Sequence, residues 1–266
     1  MEMENLINIM GQKEKHKVKK IYPVLLTDEE RARGIKELSR LEIERRLQQL
    51  YGKRSFVAVS LSGNEFSENA ANEDYWRTEI ILEWIAGTFG RTDFLVSDSL
   101  YRFYNQILYG YNASRALEKG IADGNKFIQN CSEKISELGL KKADFNFIKW
   151  SDITDELDFK ILHEQFKRLC LDHEDLKVGV YKSANIFLER NKERINIDRE
   201  LAQNLANEVI VEELALFAYL GELGYEGHIY PSTFMQVLTD ISAQKYGHVP
   251  VELSKQTLIQ IKIVTK

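Results

Sequence analysis

Five short apolar runs separated by helix-length stretches constrain this chain more than any other feature. They are SFVAVSL (Ser55 to Leu61), TDFLVS (Thr92 to Ser97), NFIKW (Asn146 to Trp150), GHIY (Gly227 to Tyr230) and QTLIQIKIV (Gln256 to Val264). Short runs this rich in Val, Ile, Leu and Phe read as buried strands. Helical patterns lie around them. Thr27 followed by Asp28, Glu29 and Glu30 reads as a capping box that opens a helix to about Leu50. Tyr75 to Phe89 closes on Gly90, and further helices cover Thr154 to Leu171, Asp175 to Arg190, Asp198 to Leu220 and Ser232 to Tyr246. Between the second and third strands, helical segments are punctuated by Gly110, Gly120, Gly124 and Gly139. Strands alternating with helices predict an α/β fold, a Rossmann-like, mostly parallel sheet with helices on both faces. The prolines are Pro23, Pro231 and Pro250, and neither a linker nor a repeat interrupts the pattern. One domain over residues 1–266 is expected, with residues 1–26 as a basic N-terminal extension.

Several function classes are excluded by what is missing. No apolar run is long enough to span a bilayer, and the start, MEMENLINIMGQKEKHKVKK, lacks the apolar core and cleavage site of a secretory signal. Cys131 and Cys170 form no CxxC pair, so a reducing, cytoplasmic setting is expected. There is no GxGxxG, and Gly52-Lys53-Arg54 is not a phosphate loop. No HExxH or Cys/His ligand spacing supports a metal. Ser60 sits in Val-Ser-Leu-Ser-Gly rather than GxSxG. No cofactor, no ATP, no membrane partner and a monomer are therefore expected. An enzyme of this kind would take a substrate that arrives already activated.

Charge is unevenly spread. The chain has 36 Lys and Arg against 41 Asp and Glu, a net of −5. Residues 1–54 hold 13 basic against 9 acidic side chains, with Lys13, Lys15, Lys17, Lys19 and Lys20 around Glu14. Such a run is a solvated tail or edge strand, or a grip for a polyanion.

Three places carry candidate chemistry. Ser60 ends an apolar strand before a loop containing Gly63, where a hydroxyl is either a strand-end hydrogen bonder or a nucleophile facing backbone N–H groups. In Val209 to Leu220 all residues but Glu212 and Glu213 are apolar, so the helix is buried on most of its circumference. Neighbours on a helix point about 100° apart. One of the two acids is expected to reach solvent, and the other to face the interior and find a cation or take up a proton. Tyr230 ends a strand before Pro231, where a phenol is either a core edge or a proton relay.

In this order the three places resemble the tRNA-dependent cyclodipeptide synthases. Arg54-Ser55-Phe56-Val57-Ala58-Val59-Ser60 is similar to the family's strand ending in a nucleophilic serine, Glu213-Leu214-Ala215 to its glutamate motif, and Tyr230 to its downstream tyrosine. Tyr230-Pro231, with Gly63 three residues after Ser60, resembles the family's Tyr-Pro branch. The chain departs from the family at Arg54, where many members have His, at Ala58, where Gly is usual, and at Val209, where a catalytic tyrosine stands. Taking Glu212 as the family glutamate would put Glu208 at that tyrosine position instead.

The resemblance implies a fold similar to the catalytic domain of class I aminoacyl-tRNA synthetases, and two aminoacyl-tRNAs as substrates. It implies a ping-pong reaction in which Ser60 forms an aminoacyl-enzyme, a second aminoacyl-tRNA converts it to a dipeptidyl-enzyme, and cyclisation releases a 2,5-diketopiperazine. Glu213 would hold the first ammonium group and Tyr230 would relay protons. Phe56, Ala58, Gly63, Val209, Leu216 and Pro231 are the expected substrate contacts. Lys13, Lys15, Lys17, Lys19 and Lys20, with Arg45 and Arg46, are the expected tRNA contacts, and helices around Arg102, Arg115 and Lys119 the second choice. A serine esterase using a base such as His228, or a non-catalytic tRNA-binding relative, is the alternative.

Overall fold

The computed structural model describes residues 19–24, 45, 47–59, 61, 75–89, 92–230 and 234–265. In chain order the elements are β1 (Lys19–Val24), β2 (Ser55–Val59), α1 (Tyr75–Phe89), β3 (Thr92–Val96), α2 (Tyr101–Tyr109), α3 (Ala113–Glu137), β4 (Phe145–Lys149), α4 (Trp150–Thr154), α5 (Leu157–Asp172), α6 (Glu174–Arg190), α7 (Arg199–Glu222), β5 (Gly227–Tyr230), α8 (Gln236–Ser242), α9 (Val251–Lys255) and β6 (Thr257–Thr265). The sheet order is β1-β6-β5-β2-β3-β4. Five strands run parallel, and β1 closes one edge antiparallel to β6.

Each central strand is buried on both faces, as an apolar run without polar alternation demands. Phe56 and Ala58 of β2 enter one core with α2, α4 to α8 and Leu95 of β3. Val57 and Val59 enter the other with α1, α3, Phe94 and Val96. Helix α7 forms the centre of the first core: Leu214, Leu216 and Leu220 are fully buried, and each such leucine contributes about 2–3 kcal/mol by leaving water. The acids that α7 carries therefore sit on a rigid support.

The glycines inside helices and between them have different causes. Gly110 and Gly139 adopt left-handed φ angles of 64° and 67° at helix ends. Gly120 and Gly124 lie within α3, where a Cβ would strike the Asp98 carbonyl oxygen and the Asp98 side chain. They let α3 lie directly on the turn after β3.

Several boundaries differ from the expected ones. Trp150 begins α4 instead of ending the third strand, because its indole turns into the core as a helix side chain. The helix expected over Thr154 to Leu171 is two helices broken at Asp155 and Glu156. The helix expected from Ser232 is confined to Gln236–Ser242; the turn that follows it holds Gln244 at a left-handed φ of 56°. Of the helix expected from Thr27, residues 45 and 47–50 are helical and the rest lies outside the described residues.

Candidate active site

The carboxyl ends of the parallel strands line up at one edge, with Val59, Val96 and Lys149 in register and Tyr230 beside them on β5. Sites in open α/β sheets form beyond this edge. Two hydrogen-bond systems fix it. Ser97 donates its Oγ–H to the Val59 carbonyl at 2.6 Å, which locks the last residue of β2. The buried Asp98 carboxylate accepts from the Ser99 and Ser151 amides at 2.7 and 2.9 Å and from the Ser151 hydroxyl at 2.7 Å. Asp98 thus ties the end of β3 to the start of α4 and orients Trp150.

Trp150 in turn donates its indole N–H to Glu212 Oε1 at 2.9 Å. Arg102, from α2, grips the same carboxylate with both terminal nitrogens, one at 3.1 Å to Oε1 and the other on Oε2. Its guanidinium also donates to the Ser99 carbonyl at 2.9 Å. Glu212 is only 2% exposed. A buried carboxylate with three protein donors is satisfied and paired, the condition under which a charge can be held inside. One of the two acids is interior and finds a cation, as expected, but it is Glu212 rather than Glu213, the acid expected to face the pocket; Glu213 is half-buried.

No donor among the described residues hydrogen-bonds Glu213. Burial, with the Glu212 charge next to it, pushes its pKa up to about 8. Tyr104 feels the Glu213 charge: burial raises the Tyr104 pKa well above the ordinary tyrosine value, and Glu213, Tyr101 and Tyr230 add to the shift. Tyr104 therefore stays a neutral phenol near the carboxyl group. Its ring packs 5.0 Å from Tyr101 and 5.0 Å from Phe187, and Tyr230 packs 5.5 Å from Phe234.

Sequence reasoning missed Arg102's grip, Trp150 and Tyr104, since none shares a local motif with the acids. The alternation of Tyr101, Arg102, Phe103 and Tyr104 on a short helix just after the strand end was the available signal.

The expected apolar contacts are core side chains. Phe56 and Leu216 have no accessible surface, Val209 has 2% and Ala58 has 8%, so a ligand entering from the strand edge would meet Ala58 first. Phe56 stacks 5.8 Å from Phe217 and 4.4 Å from His228. His228 lies among Phe56, Phe217 and Phe234, and burial drives its pKa down to about 3. Its nitrogens have no hydrogen-bond partner among the described residues. A ring with so little proton affinity is a poor general base.

Arg54 is at the opposite end of β2, over the Tyr225 ring at 4.1 Å and 3.7 Å from buried Asp93, which accepts the Tyr225 hydroxyl. Ser60, Gly63, Pro231, Lys13, Lys15, Lys17 and Arg46 lie outside the described residues. Lys19 and Lys20 open β1, paired with Thr265 and Val264, and Arg45 is exposed. Among the second-choice basic residues, Arg102 is committed to Glu212, Lys119 pairs with Asp123, and Arg115 covers the Tyr111 ring at 4.1 Å. Among the described residues no helix is long and apolar enough to cross a membrane.

A family model described as cyclodipeptide synthase matches residues 31–221. No curated protein matches the chain in sequence. Among solved structures, a cyclodipeptide synthase from Fluoribacter dumoffii is similar with a TM-score of 0.71 at 15% identity, over 94% of this chain and 99% of that one. One from Staphylococcus haemolyticus gives 0.65 at 14% identity, over 93% and 100%. A Mycobacterium tuberculosis protein gives 0.62 at 14% identity, over 97% of each chain, and its description relates cyclodipeptide synthetases to type I tRNA synthetases. At these identities the likeness concerns the fold, which agrees with the Rossmann-like sheet expected above.

Proposed function

Because the chain belongs to the cyclodipeptide synthase family, we propose that it joins two aminoacyl groups delivered by tRNA into a 2,5-diketopiperazine on Ser60. The observation that carries the reading is Glu213, an acid with a pKa of about 8 beside the neutral phenol of Tyr104. An α-amino group titrates at about 7.7–8.0. Proton exchange between such an amine and Glu213 is close to balanced, the condition that favours general acid–base catalysis near neutral pH.

The steps follow from that balance. The Ser60 hydroxyl attacks the first ester carbonyl, its proton passes to the departing ribose oxygen, and an aminoacyl-serine remains. Glu213 holds the ammonium of the bound residue and takes its proton. The freed amine attacks the ester carbonyl of the second aminoacyl-tRNA, giving a dipeptidyl-serine, and the proton goes to the second departing ribose oxygen. The terminal amine then attacks the seryl ester, closes the ring and returns a proton to Ser60. Tyr230 serves as the relay. Loop amides near Gly63 are the proposed oxyanion donors. Both esters arrive activated, so ATP has no step in this scheme.

Val209 is buried and apolar where relatives carry a tyrosine. Tyr104 of α2, whose hydroxyl feels the charge of the same acid, is the residue we assign to supply that phenol. Tyr230-Pro231 with Gly63 favours the Tyr-Pro branch. An esterase reading is weakened by His228, whose burial removes the base it would need.

The test is expression in a bacterial host with mass spectrometry of the medium, together with intact-mass analysis of enzyme mixed with aminoacyl-tRNA. Wild type is expected to release diketopiperazines and to carry an aminoacyl adduct on Ser60, and Ser60→Ala to lose both. An adduct on Ser62, or unchanged product from Ser60→Ala, would overturn the nucleophile. Ester turnover without diketopiperazine would favour the esterase, and neither activity a binding protein.

A further inference from the structure

We infer that His173, Asp175 and His248 form a binding site for a divalent transition ion of the Zn2+ class, which clasps the loop after α8 to the junction of α5 and α6. The three residues take no part in the strand-edge site. His173 is the single residue between the two helices, ending α5 and preceding α6 with an extended backbone (φ −123°, ψ 103°). Asp175 is in the first turn of α6, and its Oδ1 accepts the Leu176 amide at 2.9 Å, which orients the carboxylate. His248 arrives from a segment far along the chain.

That segment is seated specifically. Gly179 of α6 has no Cβ, and a Cβ there would strike the hydroxyl of Tyr246. Lys245 pairs with Asp240 at 2.7 Å. The Tyr246 ring lies on α6, and two residues later the His248 ring is parallel to that of His173, with centroids 3.6 Å apart and planes 7° from each other. His248 Nε2 is 3.8 Å from Asp175 Oδ1, shielded from water and without a hydrogen-bond partner. One donor atom from each residue can be chosen so that all lie within 4.8 Å of one another.

Two imidazoles and a carboxylate are a borderline donor set suited to zinc, with water as the fourth ligand. Tetrahedral coordination at about 2.0–2.2 Å brings donors to roughly 3.3–3.6 Å from one another. Binding requires the two rings, now parallel, to splay from their stack toward a common point, and Asp175, 57% exposed, to turn with them. The same exposure leaves a path for the ion to enter.

The experiment is calorimetric titration of the full-length, chelator-stripped protein with Zn2+, paired with thermal melts. One equivalent is expected to bind and to raise Tm, whereas Mg2+, which prefers all-oxygen octahedral sites, has no effect. His173→Ala and His248→Ala should each weaken binding at least tenfold and remove the rise in Tm. The exposed Asp175→Asn gives the same tenfold loss should a histidine variant fail to fold. Cys170→Ser leaves binding unchanged, and Co2+ gives a visible spectrum without a thiolate charge-transfer band. Absence of saturable Zn2+ binding to the folded wild type, or full binding in the folded variants, overturns the site.

Discussion

At Glu212, two nitrogens of Arg102 and the indole of Trp150 occupy the carboxylate, whereas at Glu213 no described donor does so. The difference separates structure from chemistry within one dipeptide. Glu212→Ala leaves the indole N–H unpaired and the partly exposed Arg102 guanidinium with only the Ser99 carbonyl, and leaving buried donors unsatisfied costs about 1–3 kcal/mol. A Tm lowered by several degrees is expected from melts of the purified variant. Glu213→Gln should leave Tm near the wild-type value at pH 5 and abolish product. A further consequence is linkage. The Glu213 carboxyl titrates near 8 when folded and near 4.5 in the open chain. Between those values the folded state holds the extra proton, so stability is greatest below about pH 4.5 and declines as pH rises through 8, at about 1.4 kcal/mol per unit of separation. Glu213→Gln removes this decline. Urea melts of both proteins from pH 5 to 9 should therefore diverge in favour of the variant at the alkaline end, and parallel curves would show that Glu213 titrates normally.

Among the elements, those with a continuous apolar pattern were legible from the chain. GHIY is β5 and Tyr75 to Phe89 is α1 to the residue, and the apolar 209–220 stretch lies within α7. The break at Asp155 and Glu156 was not, since neither Gly nor Pro marks it; nor was α9, a single turn whose place is set by packing on α7 and α8. Site partners were the least legible. Arg102, Trp150 and Glu212 come from three elements, and the turn after β3, whose Asp98 holds the start of α4, lies directly against α3. That contact gives a prediction with a reversed sign. In an ordinary helix Gly→Ala stabilises by about 1 kcal/mol. At Gly120 the new methyl would strike the Asp98 backbone carbonyl, which no rotamer change relieves. Gly120→Ala is expected to destabilise by about 1–3 kcal/mol. Through Asp98 and Ser151 it should also disturb Trp150, so product formation should fall with stability. A variant more stable than wild type would show that α3 does not bear on the site.

For the whole molecule, the antiparallel pairing of β1 gives a place to the backbone of Lys19 and Lys20, the last two lysines of the basic run. Tyr230 pairs with Gln260, and β6 runs five residues further, to Thr265 opposite Lys19. At about 3.3 Å per residue and 4.8 Å between strands, Lys19 stands roughly 16 Å beyond the end of β5 and two strands, about 10 Å, to its side. Phosphate contacts orient a nucleic acid without reading its bases, so replacing Lys13, Lys15, Lys17, Lys19 and Lys20 by Ala should weaken all aminoacyl-tRNAs about equally. The amino acids joined should stay the same, because phosphate contacts carry no information about the aminoacyl group. Each lost contact should also flatten the plot of log affinity against log salt by about 0.7–0.9. Titrating wild type and variant with tRNA over a salt series measures that slope. An unchanged slope would move the tRNA site off this edge, toward the exposed Arg115 and its neighbours on α3, since Arg102 is already bound to Glu212.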